Sequence, residues 1–74
     1  MEYTVIFKTV EEMKKFVNEA GKIDADMDMK KGRVIVDAKS LLGVIGMGIN
    51  QFMTLSVHKG NVLEIESFIT PYRA

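Results

Sequence analysis

Ala38-Lys39-Ser40-Leu41-Leu42-Gly43-Val44-Ile45-Gly46-Met47-Gly48-Ile49 is the stretch on which the rest of the chain depends. It holds three of the six glycines, and from Leu41 to Ile49 no side chain is polar. A membrane span needs about 20 apolar residues, so this run is too short to be one. It is also too rich in glycine for a long helix. Ser40 stands where a helix N-cap belongs, because its hydroxyl oxygen can accept a bond from an otherwise orphaned N–H of the first turn. The spacing predicts a short helix from about Ser40 to Ile45. An irregular Gly46-Met47-Gly48 exit follows, with one of the two glycines in the left-handed conformation.

Working back toward the N-terminus, Arg33-Val34-Ile35-Val36-Asp37 reads as a strand, and Lys30-Lys31-Gly32 as the turn that feeds it. Before that turn Ile23, Ala25, Met27 and Met29 alternate with Asp24, Asp26 and Asp28, the mark of a strand with one buried face. Val10, Met13, Phe16, Val17 and Ala20 recur at helical spacing. Thr9 with Glu12 makes a capping box, Glu11 precedes Lys14 and Lys15 at helical pairing distance, and Gly21 stops the helix. Tyr3 to Lys8 is β-branched and aromatic, a first strand. Beyond the central stretch, Phe52 to Val57 is a fourth strand and Gly60-Asn61 a break. Val62, Ile65, Phe68 and Ile69 form the apolar face of a last helix that ends before Pro71. The order is βαββαβα. Helices interleaved with hairpin-connected strands give an α+β fold, an antiparallel sheet with helices on one face. Phe16, Val17, Val36, Leu55 and Ile65 are the expected core.

Composition narrows the function. Ten basic and ten acidic residues cancel to zero net charge, which argues against a general nucleic-acid binder. There is no cysteine, so disulfides, thiolate chemistry and cysteine-ligated zinc are excluded. Met1-Glu2-Tyr3-Thr4 has no basic region followed by an apolar run, and the expectation is a cytoplasmic protein with no membrane partner. Residues 1–74 are expected to form one small domain, with no cofactor and no metal.

The central stretch resembles the regulatory-serine segment of HPr, the phosphocarrier of the bacterial sugar phosphotransferase system. There a Lys-Ser opens a short helix followed by glycine and a hydrophobic surface. Ala20-Gly21-Lys22-Ile23-Asp24-Ala25-Asp26 is similar to the family's first helix-to-strand junction. With no gap between these landmarks the resemblance runs from about Thr9 to the C-terminus, more weakly after Val57. It implies an open-faced βαββαβα sandwich with strand order 1-4-2-3. It also implies docking onto partner proteins through the hydrophobic surface.

The chain departs from the family at the phosphocarrier site. Gly-Ile-His-Ala-Arg-Pro-Ala opens the family's first helix. In the ungapped alignment the histidine falls on Thr9, the arginine on Glu11 and the proline on Glu12. A threonine ester does not replace the labile N–P bond of a phosphohistidine, and two carboxylates repel phosphate. Thr9 therefore reads as an N-cap, and the relay function is expected to be absent, with no catalytic residue. The combination resembles catabolite repression HPr, a regulatory relative that lacks the histidine and keeps the serine. The resemblance makes Ser40 a regulatory phosphorylation site with Lys39 adjacent, while a plain cap would equally explain a serine there. Leu41, Leu42, Val44, Ile45 and Met47 cannot all face inward from so short a helix. Lys39, Leu41, Leu42, Ile45 and Met47 are thus the expected contact residues, for a protein partner of regulator, kinase or transcription-factor type or for a homodimer. A phosphocarrier using another residue, and a structural subunit of an oligomer, remain the alternatives.

Three weaker signals fail on spacing. Asp24, Asp26 and Asp28 open like a calcium loop, but Met29 replaces its glycine and Ile35 its final glutamate. His58, the sole histidine, falls near a strand end, expected exposed and without an obvious partner. Gly43-Val44-Ile45-Gly46-Met47-Gly48 lacks the spacing and the preceding strand of a dinucleotide fingerprint.

Overall fold

The computed structural model describes residues 1–74. The chain runs β1 (Glu2–Val5), α1 (Val10–Ala20), β2 (Asp26–Lys31), β3 (Val34–Asp37), α2 (Leu41–Met47), β4 (Met53–His58) and α3 (Val62–Ile69), then a 3-10 turn over Thr70–Tyr72. The four strands form one antiparallel sheet in the order β1-β4-β2-β3. The helices cover one face and the other is open, the expected sandwich.

Strand alternation decides which face is covered. Tyr3, Val5, Met27, Met29, Met53, Leu55 and Val57 point to the helices and are buried. Glu2, Thr4, Asp26, Asp28, Lys30, Thr54, Ser56 and His58 occupy the alternate positions, on the open side. Against the inner face α1 sets Met13, Phe16 and Ala20, α2 sets Val44 and Met47, and α3 sets Ile65 and Ile69. Phe16, Leu55 and Ile65 are buried as expected. Val17 and Val36 are half-buried and pack against the core from its rim, Val17 at the margin of the apolar stripe of α1 and Val36 on the sheet's edge strand.

Several boundaries differ from the sequence reading. The first strand stops at Val5, since Phe7 turns in to meet Phe16 and Tyr72 at ring-centroid distances of 5.0 and 5.5 Å instead of continuing the pleat. Ile23 and Ala25 keep their inward faces, but strand pairing begins only at Asp26. The Ile23 N–H still follows the helix end, donating to the Ala20 carbonyl at 3.1 Å. The hairpin turn is Gly32-Arg33 rather than Lys30-Lys31-Gly32. Gly32 has φ 59°, which suits the first central position of a two-residue turn. β4 starts at Met53, one residue late, and leaves Phe52 outside the sheet.

Candidate functional site

Ser40 caps α2 as its position predicts. Its backbone is extended (φ −95°, ψ 113°), and its Oγ accepts the Gly43 N–H at 3.2 Å. The Ser40 N–H donates to the Asp37 carbonyl at 3.0 Å, and the Asp37 carboxylate accepts the Lys39 N–H at 2.9 Å. The turn between β3 and α2 is therefore closed from both sides, and Ser40 is left half-exposed at the start of the helix.

α2 divides its apolar side chains by its pitch. Val44 is fully buried, and Leu41 and Ile45 are half-buried. Leu42 is 84% exposed. Met47 corrects the sequence reading: it lies inside the helix, not in an irregular exit, and its side chain is only 3% exposed. It stands three residues after Val44, on the same inward stripe, so it is core and not contact surface. Gly48 supplies the positive φ, at 93°, that ends the helix. The Met47 carbonyl, orphaned by that ending, accepts a bond from Lys31 Nζ at 2.6 Å, a cation at the helix C-terminus. Lys39 is half-buried, and its amine donates to the Ile23 carbonyl at 2.8 Å. It braces α2 against the α1–β2 connection.

The chain leaving α2 contributes apolar surface that the sequence reading missed. Phe52, assigned to a strand, is 70% exposed, and Ile49 is also exposed. Asn50 takes a left-handed conformation (φ 57°), and its N–H donates to the Phe7 carbonyl at 2.6 Å. That bond ties the Ile49–Phe52 loop to the segment entering α1. The available signal was the Asn50-Gln51 dipeptide, which breaks the apolar run immediately before Phe52.

At the head of α1, Thr9 Oγ1 accepts the Glu12 N–H at 3.1 Å, and Glu12 Oε1 accepts the Lys8 N–H at 3.0 Å. The positive end of α1 is thus complemented by its own acidic residues, Glu11 and Glu12. His58 is not without a partner. Its Nε2 lies 3.4 Å from Ser56 Oγ and 3.9 Å from Asp28 Oδ2, on the open face of the sheet. Asp26 and Asp28 alternate along β2 while Asp24 stays in the preceding turn, and no three acidic or histidine side chains converge to hold a metal. No helix is long and apolar enough to cross a membrane.

Comparison with known proteins adds the following. A family model described as "PTS HPr component phosphorylation site" matches residues 12–67. The match contains Ser40 and begins after Thr9. The crystal structure of HPr-C-His from Thermoanaerobacter tengcongensis superposes with a TM-score of 0.79 at 23% identity, covering 95% of this chain and 88% of that one. Phosphocarrier protein HPr from Bacillus anthracis str. Ames superposes at 0.76 and 21% identity, covering 99% and 96%. Among curated proteins none matches significantly.

Proposed function

The chain belongs to the HPr family, whose members are phosphocarriers and not enzymes and act by meeting other proteins of the phosphotransferase system, and from that premise we propose that it is a regulatory protein-binding module that does not carry phosphate on histidine. Residues 1–74 form one HPr-like domain of a bacterial cytoplasmic protein. Ser40 is its control point and Leu41, Leu42 and Ile45 its contact surface, with Lys39 bracing the helix beneath. The observation that carries this reading is Leu42: a fully apolar side chain, 84% exposed, two residues beyond a half-exposed helix-capping serine. Leaving a leucine in water forgoes roughly 1.5–3 kcal/mol of burial, which a partner surface would recover.

Two further observations support it. The connection from β1 to α1, Ile6-Phe7-Lys8-Thr9, contains no histidine, and the first turn of α1 carries two carboxylates where a phosphate would need cations. Ser40, by contrast, opens a helix whose first turn holds no acidic residue. A phosphate on Ser40 would add charge of about −2 there and change which partners the leucines meet.

The test is serine-directed phosphorylation and binding. An HPr serine kinase with ATP is expected to label the chain on Ser40 and to leave Ser40→Ala unlabelled. Binding of a regulator partner, followed by calorimetry, is expected to fall about tenfold or more in Leu42→Glu while the melting temperature holds. Labelling elsewhere, or unchanged binding in Leu42→Glu, would remove the assignment.

A further inference from the structure

The sheet has two edges, and they are treated differently. Along β1 the C-terminal residues close the edge. The Ile6 N–H donates to the Tyr72 carbonyl at 2.9 Å and the Ala74 N–H to the Thr4 carbonyl at 3.0 Å, and Val5 forms an antiparallel bridge with Arg73. Along β3, the other edge, no strand follows. Which amides face outward there is fixed by the register. The Ala38 N–H donates to the Met27 carbonyl at 3.0 Å, so the even positions Val34 and Val36 also turn toward β2. Ile35 and Asp37 turn their backbone groups to the free side, and Arg33 precedes the strand in the hairpin turn. The Asp37 carbonyl is taken by Ser40, but the Ile35 amide and carbonyl meet no strand.

The side chains on this edge are unusual for a guarded one. Val34 is 53% exposed and Ile35 61%. Edge strands are commonly protected by charges that repel a second strand. Here the flanking charges are opposite in sign and equidistant from the centre: Arg33-Val34-Ile35-Val36-Asp37. An antiparallel two-fold pairing about Ile35 sets Ile35 against its copy and Val34 against Val36. It sets Arg33 against Asp37 twice. The register is selective. Moving the axis to Val36 keeps the amide parity but puts Ile35 against Asp37 and Arg33 against Lys39, an apolar–charged mismatch and a like-charge clash.

We propose that β3 is a self-pairing edge, through which a second copy of this chain joins about a two-fold axis at Ile35 to make one continuous eight-stranded sheet. This surface is separate from Leu42 and does not rest on the function assigned to α2. Five residues a side bury less than the ~800 Å² per partner of a standard interface, so the dimer is weak and reversible, with a dissociation constant on the order of 0.1 mM.

The test is sedimentation equilibrium from about 10 μM to 1 mM, a range that brackets that constant, with amide hydrogen exchange at Ile35 followed across it. The expected result is a monomer–dimer equilibrium in which Ile35 exchange slows as the dimer fills. Ile35→Glu is expected to keep the fold, since Lys30 lies opposite within the chain, and to weaken dimerisation at least about tenfold by setting two carboxylates together at the axis. Arg33→Asp and Asp37→Arg should each fail to self-associate, yet dimerise when mixed, because the mixture restores both opposite-charge pairs. A monomer at every concentration overturns the proposal. So does a dimer that Ile35→Glu leaves unchanged, and one lost in Leu42→Glu instead assigns the interface to α2. Melting curves of each variant confirm that lost association is not lost folding.

Discussion

Gly43 and Gly46 lie three residues apart in α2 and meet opposite surroundings. A methyl group built on Gly46 would touch nothing within 4 Å. One on Gly43 would stand 3.0 Å from Val36 Cβ and 3.3 Å from Val36 Cγ2, where helix and strand press together. Gly46→Ala is therefore expected to raise stability by about 0.5–1 kcal/mol, through lower backbone entropy in the unfolded chain. Gly43→Ala gains the same helix propensity but must push α2 away from β3, and overpacking costs about 1–3 kcal/mol. It should come out destabilising, and urea melts of the two variants side by side check the sign. Ser40 gives a third test in the same helix. Ser40→Ala, which strands the Gly43 N–H, should cost about 1 kcal/mol, whereas Ser40→Asp should be close to neutral because aspartate caps as well and suits the dipole. Equal stability of the two would mean that the cap contributes little. Caps were the most legible single residues in the sequence: Thr9 and Ser40 each accept the N–H three positions on. They act locally, so nothing distant could override them. Met47 was illegible for the opposite reason, since a glycine on either side hid the fact that the helix continued through it.

At the scale of elements, the aromatic residues hold α1, α3 and the C-terminal turn together. Phe16 stacks on Phe68 at 5.0 Å and meets Tyr72 edge-on at 5.3 Å, and Phe7 approaches both Phe16 and Tyr72. Phe16→Ala is expected to cost about 3–5 kcal/mol, most of what a domain this small possesses, and its loss of a cooperative melt would show it. Tyr72 adds a pH dependence. Its hydroxyl donates to Glu19 Oε1 at 2.8 Å. Burial first, then that hydrogen bond and the charges of Glu19 and Glu12, push the phenol well above its ordinary value. The neutral phenol is thus favoured by folding. Its contribution is complete below pH of about 10, where the unfolded tyrosine is also protonated, and is lost progressively as pH rises above that. Tyr72→Phe should flatten the alkaline fall in stability measured by denaturation between about pH 9 and 11. The order of elements and their inward faces could be read from periodicity, because Met27, Met29, Leu55 and Val57 alternate without exception. The ends could not. Phe7 leaves β1 for an aromatic partner nine residues away, and Phe52 stays out of β4, and both outcomes depend on tertiary contacts that no local pattern encodes.

Across the whole molecule, the placement of His58 bears on phosphate chemistry. β1 leaves the sheet at Val5, opposite Met53, on its way to the head of α1. His58 lies at the other end of β4, five residues on, and so about 16 Å along the strand. It also projects from the open face, whereas α1 lies on the covered one. Its neighbours are Asp28, within 3.9 Å, and Asp26, its partner across the strands. A phosphoryl group on that ring would face carboxylates with no helix N-terminus to receive its charge, and two like charges at about 4 Å repel by roughly 1–4 kcal/mol between bulk water and a protein surface. The head of α1 offers a helix N-terminus but no imidazole, and Glu11 and Glu12 already complement its positive charge. Neither place therefore combines the two requirements of a phosphohistidine carrier, an imidazole and a free seat for the anion. Incubation with phosphoenolpyruvate and the general phosphotransferase enzyme is therefore expected to leave the mass of the protein unchanged. An acid-labile, base-stable phosphate would overturn this, and mapping it to His58 would mean that the open face of the sheet, not the covered side of α1, meets the donor.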